Sequence, residues 1–370
     1  MHNSKNYMSN HKLYFYLLIC LLLFNNNLFA NMANPYIKGT QNSLFIGSKD
    51  VSVTKETIDI ELEKNLAKAA YTVTYEINSD INSVLPLLFI ASNYEHDFKV
   101  VINGNTYKDP KVLKKITTAE IKKEFSFLKV MDNERVEVPF SATETASYYI
   151  NDLISFNADL KKGKNTIVVS YFALNAYNRH NWYKKPTIEY SLYPSKFWKS
   201  FENISINIHS ETPFKIDSSN IGIPMNISKN EYNTSYSWQL KSITLGALSI
   251  QVSPKISKLS SILIAMEPFG IAVLILIVLI LLHIKYLIAE NKIKEVRFNK
   301  PLWYGNLIVP VVFVLAFLFS FSLIDWTLGE NAGRFHGYTF LIIFALPVFW
   351  IGYALFMWLS YKLFFLLKNR

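Results

Sequence analysis

At 370 residues, with 51% apolar and only 18% charged side chains, the chain carries too little charge for an ordinary soluble protein. Its net charge of +10 is dispersed, with +2 in residues 1–30, +4 in 31–258 (27 Lys/Arg minus 23 Asp/Glu) and +4 after residue 258. No basic stripe forms, so nucleic acid is not an expected partner. The single cysteine, Cys20, leaves no disulfide to form.

Lys5 and Lys12 precede the uncharged run Leu13–Phe24, and "LFA" follows at Leu28–Ala30. A basic start, a short apolar core and a small exit residue predict a signal peptide over 1–30, cleaved after Ala30 or alternatively after Ala33. Twelve apolar residues are too few to cross ~30 Å of hydrocarbon comfortably as a helix.

Between residues 31 and 258 the dominant period is two. "TIDIEL" puts Ile58, Ile60 and Leu62 on one face, and "YTVTYEI" does the same with Tyr71, Val73, Tyr75 and Ile77. "NISINIH" aligns Ile204, Ile206 and Ile208, and "ALSIQV" aligns Leu248, Ile250 and Val252. Such alternation predicts half-buried strands. Asn103–Gly104 predicts a hairpin turn, and Gly163 a turn into a strand. One helix is expected in "TTAEIKKEFSFL", where Thr117 and Glu120 form a capping box and Ile121, Phe125 and Leu128 recur at helical spacing. The expected architecture is a mainly β extracytoplasmic region, one sandwich or two divided near residue 185.

Catalytic spacing is missing. There is no Gly-x-Ser-x-Gly, no His-Glu-x-x-His and no phosphate loop, and the histidines of this region, His96, His180 and His209, stand far apart. Glu95-His96-Asp97 is the tightest ionisable group and reads as a polar turn between strands. No metal and no cofactor are expected.

"AYNRHNWYKK" breaks the alternation, and Tyr177, Arg179, His180, Trp182 and Tyr183 are the ligand-binding candidates. Aromatic and Arg groups on a loop commonly anchor a partner or a sugar. The plainer reading is a loop folded onto its own sandwich. In "EYSLYPSKFWKSF", Tyr190 and Leu192 alternate ahead of Pro194, and Phe197, Trp198 and Phe201 follow. This predicts a strand, a crossing bend and a second strand with aromatics filling between sheets. The Tyr-x-Leu-x-Pro…Phe-Trp-x-Ser-Phe pattern resembles uncharacterised exported bacterial membrane proteins with a β-sandwich ectodomain, a resemblance over some 20 residues that implies no catalytic residue.

Three apolar runs follow, 262–284, 301–324 and 337–361. Each is long enough to cross a bilayer as a helix of ~20 residues. Lys285, Lys292, Lys294, Arg297 and Lys300 lie between the first two runs, and Lys362, Lys368 and Arg370 after the third. Positive charge marks the cytoplasmic side, which places the 285–300 loop and the C-terminus inside and residues 31–258 outside. Glu267, Asp325, Glu330, Arg334 and His336 are the membrane-interface candidates, and Asn306 is expected to bond a neighbouring helix.

The combined reading is a non-enzymatic bacterial membrane protein, in the inner membrane if the cell is Gram-negative. Its β region binds a partner or ligand in sensing or assembly, with the lipid bilayer and another membrane or periplasmic protein as partners. Two alternatives are an auxiliary subunit of a membrane enzyme or transporter, and a membrane-tethered glycan-binding module using Trp182 and Tyr183.

Overall fold

The computed structural model describes residues 36–37, 42–46, 50–91, 95–107, 114–115, 117, 119, 123, 125, 128–132, 134–139, 145–150, 153–192, 195, 198–230, 233–241, 246–291 and 300–368. The predicted signal peptide lies outside these residues. Within them, β sheets occupy the region before residue 255 and three long apolar helices follow.

A nine-stranded sheet forms the floor of the β region. In spatial order its strands are Asn226–Lys229, Thr234–Leu240, Ile204–Ser210, Val51–Leu62, Lys68–Ser79, Gly163–Leu174, Glu95–Ile102 and Asn105–Tyr107, with Ser200–Phe201 also beside Val51–Leu62. Its pairings are antiparallel except those of Ser200–Phe201 and Ile204–Ser210 with Val51–Leu62, which are parallel. The predicted hairpin forms at Asn103–Gly104, both at positive φ (50° and 82°), where the tight reversal requires it. Gly163, at φ 95°, opens its strand.

The alternation expected from the sequence becomes two faces. Ile58, Ile60, Tyr71, Val73, Tyr75, Val169, Tyr171, Ile204 and Ile206 point inward, while Thr57, Asp59, Thr72 and Asn207 point outward. Two smaller sheets cover the inward face. One contains Asn42–Ile46, Ser83–Ala91, Leu153–Leu160 and Lys114–Lys115, the other Thr187–Ser191, Ala247–Pro254 and Phe214–Ser219. A single core draws on all three sheets, from Val51 to Val252, and so lies on both sides of residue 185. The four-stranded sheet buries its other face, Leu88, Ile90 and Leu153, against Val136, Val138 and Tyr148 of a further three-stranded sheet. Phe125 and Leu128 join that second core. Ala119 and Lys123 are helical, whereas Glu120 and Ile121 of the predicted capping-box helix lie outside the described residues.

The strands on either side of the bend predicted ahead of Trp198 belong to different sheets, Thr187–Ser191 to the three-stranded sheet and Ser200–Phe201 to the large one. Tyr190 and Leu192 are buried at the three-stranded sheet, and Trp198 is buried where the chain enters the large one. Pro194 and Phe197 lie outside the described residues. Glu95-His96-Asp97 begins a strand and is not a turn, because its backbone continues the ladder to Ile102; its side chains lie outside the described residues.

The helices are α1 (Lys258–Asn291), α2 (Lys300–Leu328) and α3 (Leu346–Lys368), each long and apolar enough to cross a membrane. Trp303 and Trp326 are exposed near opposite ends of α2, about 35 Å apart at 1.5 Å per residue. That spacing suits rings seated at the two interfaces of a ~30 Å hydrocarbon layer. Helices α1 and α2 meet through Ile271, Phe321, Ile324 and Leu328, and Ala272 packs against Phe313 and Val314. Helix α3 joins α2 through the Phe313–Phe349 edge contact (5.3 Å) and the Trp350 Nε1 donation to Leu307 O (2.9 Å).

Candidate functional site

The structure brings the two sets of sequence candidates to one place. The segment Arg179–Lys184 lies beside the α2–α3 connection as a short strap. Gly333 N donates to Trp182 O (3.1 Å), Phe335 N to Arg179 O (2.9 Å) and Lys184 N to Asn331 O (2.9 Å), while Tyr183 and Ala332 form an antiparallel bridge. Gly333 is required at this crossing because a Cβ there would stand 2.8 Å from Lys184 N, a backbone atom that cannot step aside.

Side chains lock the strap. Trp182, a ligand-binding candidate or, on the plainer reading, part of a loop folded onto its own sandwich, is only 9% exposed. Its ring packs with Ile271, Phe321, Ile324 and Leu328 of α1 and α2, because the nearest large apolar surface belongs to the helices and not to its own sandwich. The Arg334 guanidinium lies 4.1 Å over the Trp182 ring, and Phe321 and His336 lie against it at 5.8 and 6.1 Å. This arrangement removes the open aromatic platform that a sugar would need. Arg179 caps the Phe335 ring at 4.8 Å. Such cation–π contacts are worth roughly 0.5–2 kcal/mol each.

The remaining candidates divide. Tyr177 is half-buried beside the two-residue pairing with Tyr36–Ile37. His180 is exposed, its backbone N–H bonded to Asn178 Oδ1 at 2.9 Å. Tyr183 carries Lys185 Nζ at 5.2 Å from its ring centroid. Lys184 Nζ donates to Glu330 O (2.8 Å); burial lowers its pKa, and the Glu330 charge raises it. The Glu330 side chain is exposed and lines a cavity of about 450 Å³ with Glu61, Glu63, Lys64 and Glu211. Asp325 and His336 bond through Oδ2 and Nε2 at 2.5 Å, which holds the connection onto α2. Their other polar atoms, Asp325 Oδ1 and His336 Nδ1, are buried without partners.

Glu267 is not part of the strap. It is exposed on α1 at φ 54°, ψ 165°, just before Pro268, so the helix breaks there. Proline lacks the N–H that would bond one turn back and its ring crowds that turn, which pushes the preceding residue out of helical geometry. Asn306, expected to bond a neighbour, has its Oδ1 buried without a partner.

Two constellations were missed in the sequence. The first is Glu56, only 2% exposed inside the sandwich. A bulge between Val53 and Lys55 changes which residues face inward, so Val51 and Val53 point in before it and Glu56, Ile58 and Ile60 after it. Tyr190 OH donates to Glu56 Oε1 (2.7 Å) and bonds Tyr75 OH (2.7 Å). Burial raises the Glu56 pKa to about 7, with the Tyr190 and Tyr75 hydroxyls pulling the other way. Burial likewise raises Tyr75 and Tyr190, and the Glu56 charge adds to both shifts. The second is His283 on α1, buried with Nδ1 bonded to Tyr353 OH of α3 (2.8 Å). Gly305 of α2 makes room for that imidazole, since a Cβ there would overlap it.

Chemically, the strap is a holding device. Backbone bonds, an aromatic plug and stacked guanidinium groups fasten the β region to the helices. Among the described residues no group of three His, Cys, Asp or Glu side chains could hold a metal ion.

Residues 28–189 match the family described as fimbrillin-A associated anchor proteins Mfa1 and Mfa2. No curated protein matches the chain. Among solved structures, a Legionella pneumophila protein described as nutrient-binding aligns at 14% identity and a TM-score of 0.43, covering 59% of this chain and 72% of that one. An M1 zinc metallopeptidase from Deinococcus radiodurans aligns at 8% and 0.31, covering 56% of this chain and 44% of its own. A Parabacteroides distasonis protein described as a protease aligns at 10% and 0.29, covering 56% and 41%.

Proposed function

We propose that the chain is a non-enzymatic bacterial membrane protein that presents its β region from the membrane surface to bind and assemble with another protein of the cell envelope. Residues 1–30 serve as a cleaved signal, residues 31–258 lie outside the cytoplasm, and the 285–300 loop and C-terminus lie inside. The lysine and arginine distribution supports this threading. So does the strap, since the 325–338 connection that it grips is the side opposite the basic loop.

The strap is the observation that carries the reading. One helix suffices to tether a domain. Here the β region is fixed twice, through residues 255–257 into α1 and through Arg179–Lys184 onto Asn331–Phe335. Two attachments set an orientation, which serves a protein that must present one surface to a partner. The match of residues 28–189 to an anchor-protein family supports the same role. A second reading, an auxiliary subunit of a membrane enzyme or transporter, draws on α3, where Val348, Ile351, Leu355 and Leu359 are exposed and would suit an intramembrane neighbour.

The test is amine cross-linking of the tagged full-length protein in intact cells, followed by mass spectrometry. Exposed lysines of the β region, such as Lys99, Lys164 and Lys229, are expected to link to one other envelope protein. Links confined to the chain and its own copies would overturn the binding role.

A further inference from the structure

Three Asn-x-Ser/Thr triplets stand in the β region, at Asn203-Ile204-Ser205, Asn226-Ile227-Ser228 and Asn233-Thr234-Ser235. The pattern marks an acceptor for N-linked sugar where the asparagine lies on an exposed turn of an exported chain, so the fold can sort the three. Asn203 is at φ 48°, and its side-chain amide donates to Thr54 O (3.4 Å). Asn226 lies within the strand Asn226–Lys229 and donates to Ser237 Oγ (3.3 Å). Asn233 stands between that strand and Thr234–Leu240, is exposed, and its side-chain amide bonds no described residue.

The main chain at Asn233 is fixed. Its N–H donates to Asn230 Oδ1 (2.6 Å), and its O accepts from Asn230 N (2.9 Å). Thr234 is buried, which leaves Asn233 and Ser235 together on the outward side, two residues apart along extended chain. These are the amide and the hydroxyl that define the triplet. Their place in the fold suits a donor carried by a lipid. Thr234 pairs with Ser210 and Ser210 with Leu62, at the end of the sheet where Leu62 and Glu211 share a cavity with Glu330 of the α2–α3 connection. Asn203 lies towards the other end, its O bonded to Glu56 N, six residues (62 minus 56) or about 20 Å back along Val51–Leu62.

We propose that Asn233 is the acceptor of an N-linked oligosaccharide, transferred from a polyprenyl-pyrophosphate-linked donor at the outer face of the membrane. Asn233 Nδ2 displaces the pyrophosphate from C1 of the first sugar. The N–C1 bond forms as the C1–O bond breaks, the lipid pyrophosphate leaves with that electron pair, and the amide proton passes to a base of the transferase. No atom changes oxidation state overall. Asn226–Lys229 is an edge of the nine-stranded sheet, and a bulky, hydrated sugar chain at the adjoining turn would keep other strands from pairing with it. The inference rests on the placing of residues 31–258 outside the cytoplasm proposed above.

The test is the intact mass of the full-length protein purified from the membranes of the cells that make it. The wild type is expected to exceed its polypeptide mass by a whole number of sugar residues. Asn233→Gln and Ser235→Ala should each lose the whole increment, while Ser235→Thr and Asn226→Gln should keep it. A wild type without the increment, or an increment that survives Asn233→Gln, would overturn the inference. Asn233→Cys separates that failure from a failure of the threading, since Cys20, in the predicted signal, is the only other cysteine. Labelling of this variant in intact cells by a membrane-impermeant maleimide, with no sugar on the wild type, would leave the threading standing and remove the acceptor. Labelling only after lysis would remove both.

Discussion

Replacing Glu56 with Gln separates the cost of burying a charge from the cost of losing a contact. Burial raises the folded-state pKa of Glu56 to about 7, against 4.5 for the exposed group. The folded state therefore holds this proton more tightly than the unfolded state, and the group destabilises the fold progressively as pH rises from 4.5 to 7. Below 4.5 there is no such penalty, and above 7 it is constant. At 1.36 kcal/mol per pKa unit the full penalty is about 3 kcal/mol, of which about 2.5 kcal/mol develops between pH 5 and pH 8. Gln keeps the acceptor for Tyr190 OH and carries no proton that titrates. The assay is thermal unfolding of the full-length wild-type and Glu56→Gln proteins in detergent at pH 5, 6, 7 and 8. The two should unfold together at pH 5, and the variant should be the more stable by roughly 5–10 °C at pH 8, taking 2–4 °C per kcal/mol for a region of this size. Other titrating groups are shared and cancel in the difference. A difference that is flat with pH, or a variant weaker at pH 8 than at pH 5, would refute the reasoning.

Trp182→Ala should remove the plug of the strap at a cost of about 3–5 kcal/mol. The α2–α3 connection should then be cut at least tenfold faster by added protease while the β core melts as before, and unchanged cutting would count against the strap. Gly333→Ala forces Lys184 N away from a new Cβ and should cost about 1–3 kcal/mol, read as a lower unfolding midpoint in detergent. Glu267→Gly should act in the opposite direction. The backbone geometry at Glu267 is one that only glycine adopts freely, so relief of about 1 kcal/mol should raise the midpoint. Gly305→Ala should displace the His283 ring and break its bond to Tyr353, loosening α3 and exposing it to protease; unaltered cleavage of α3 would contradict that packing.

The elements were legible where one local rule holds from end to end. Ile58–Leu62 and Tyr71–Ile77 alternate without interruption, so their inward faces follow from the residues alone. Asn103–Gly104 also announces its turn, because few other pairs tolerate two successive positive φ values. Glu56 was hidden by its charge: period two carried back from Ile60 and Ile58 puts it on the inward face, but nothing local shows that Tyr190 and Tyr75 wait there to receive a carboxyl. Trp182 was legible as packed on the plainer reading, but not as packed against the helices. Its partners lie on α1 and α2, and neighbouring Lys184 bonds a residue 146 positions away, beyond the reach of any local pattern. His283 passed unnoticed for the converse reason: it stands alone in an apolar run and acquires meaning only through Gly305 and Tyr353.

The parallel pairing at the centre of the large sheet also sets a timetable. Val51–Leu62 finds its hairpin partner, Lys68–Ser79, almost at once, but its other edge waits for Ile204–Ser210, with Glu56 facing Ile204. Those two residues are 148 positions apart (204 minus 56). At a synthesis rate of about 5–20 residues per second, the central strand stands with one side unpaired for roughly 7–30 seconds. During that interval an apolar strand edge is open to pairing with any other chain. Biogenesis of this protein therefore depends on how well that edge is guarded while the chain emerges, and a helper that holds extended chains would act on Val51–Leu62 before any other segment.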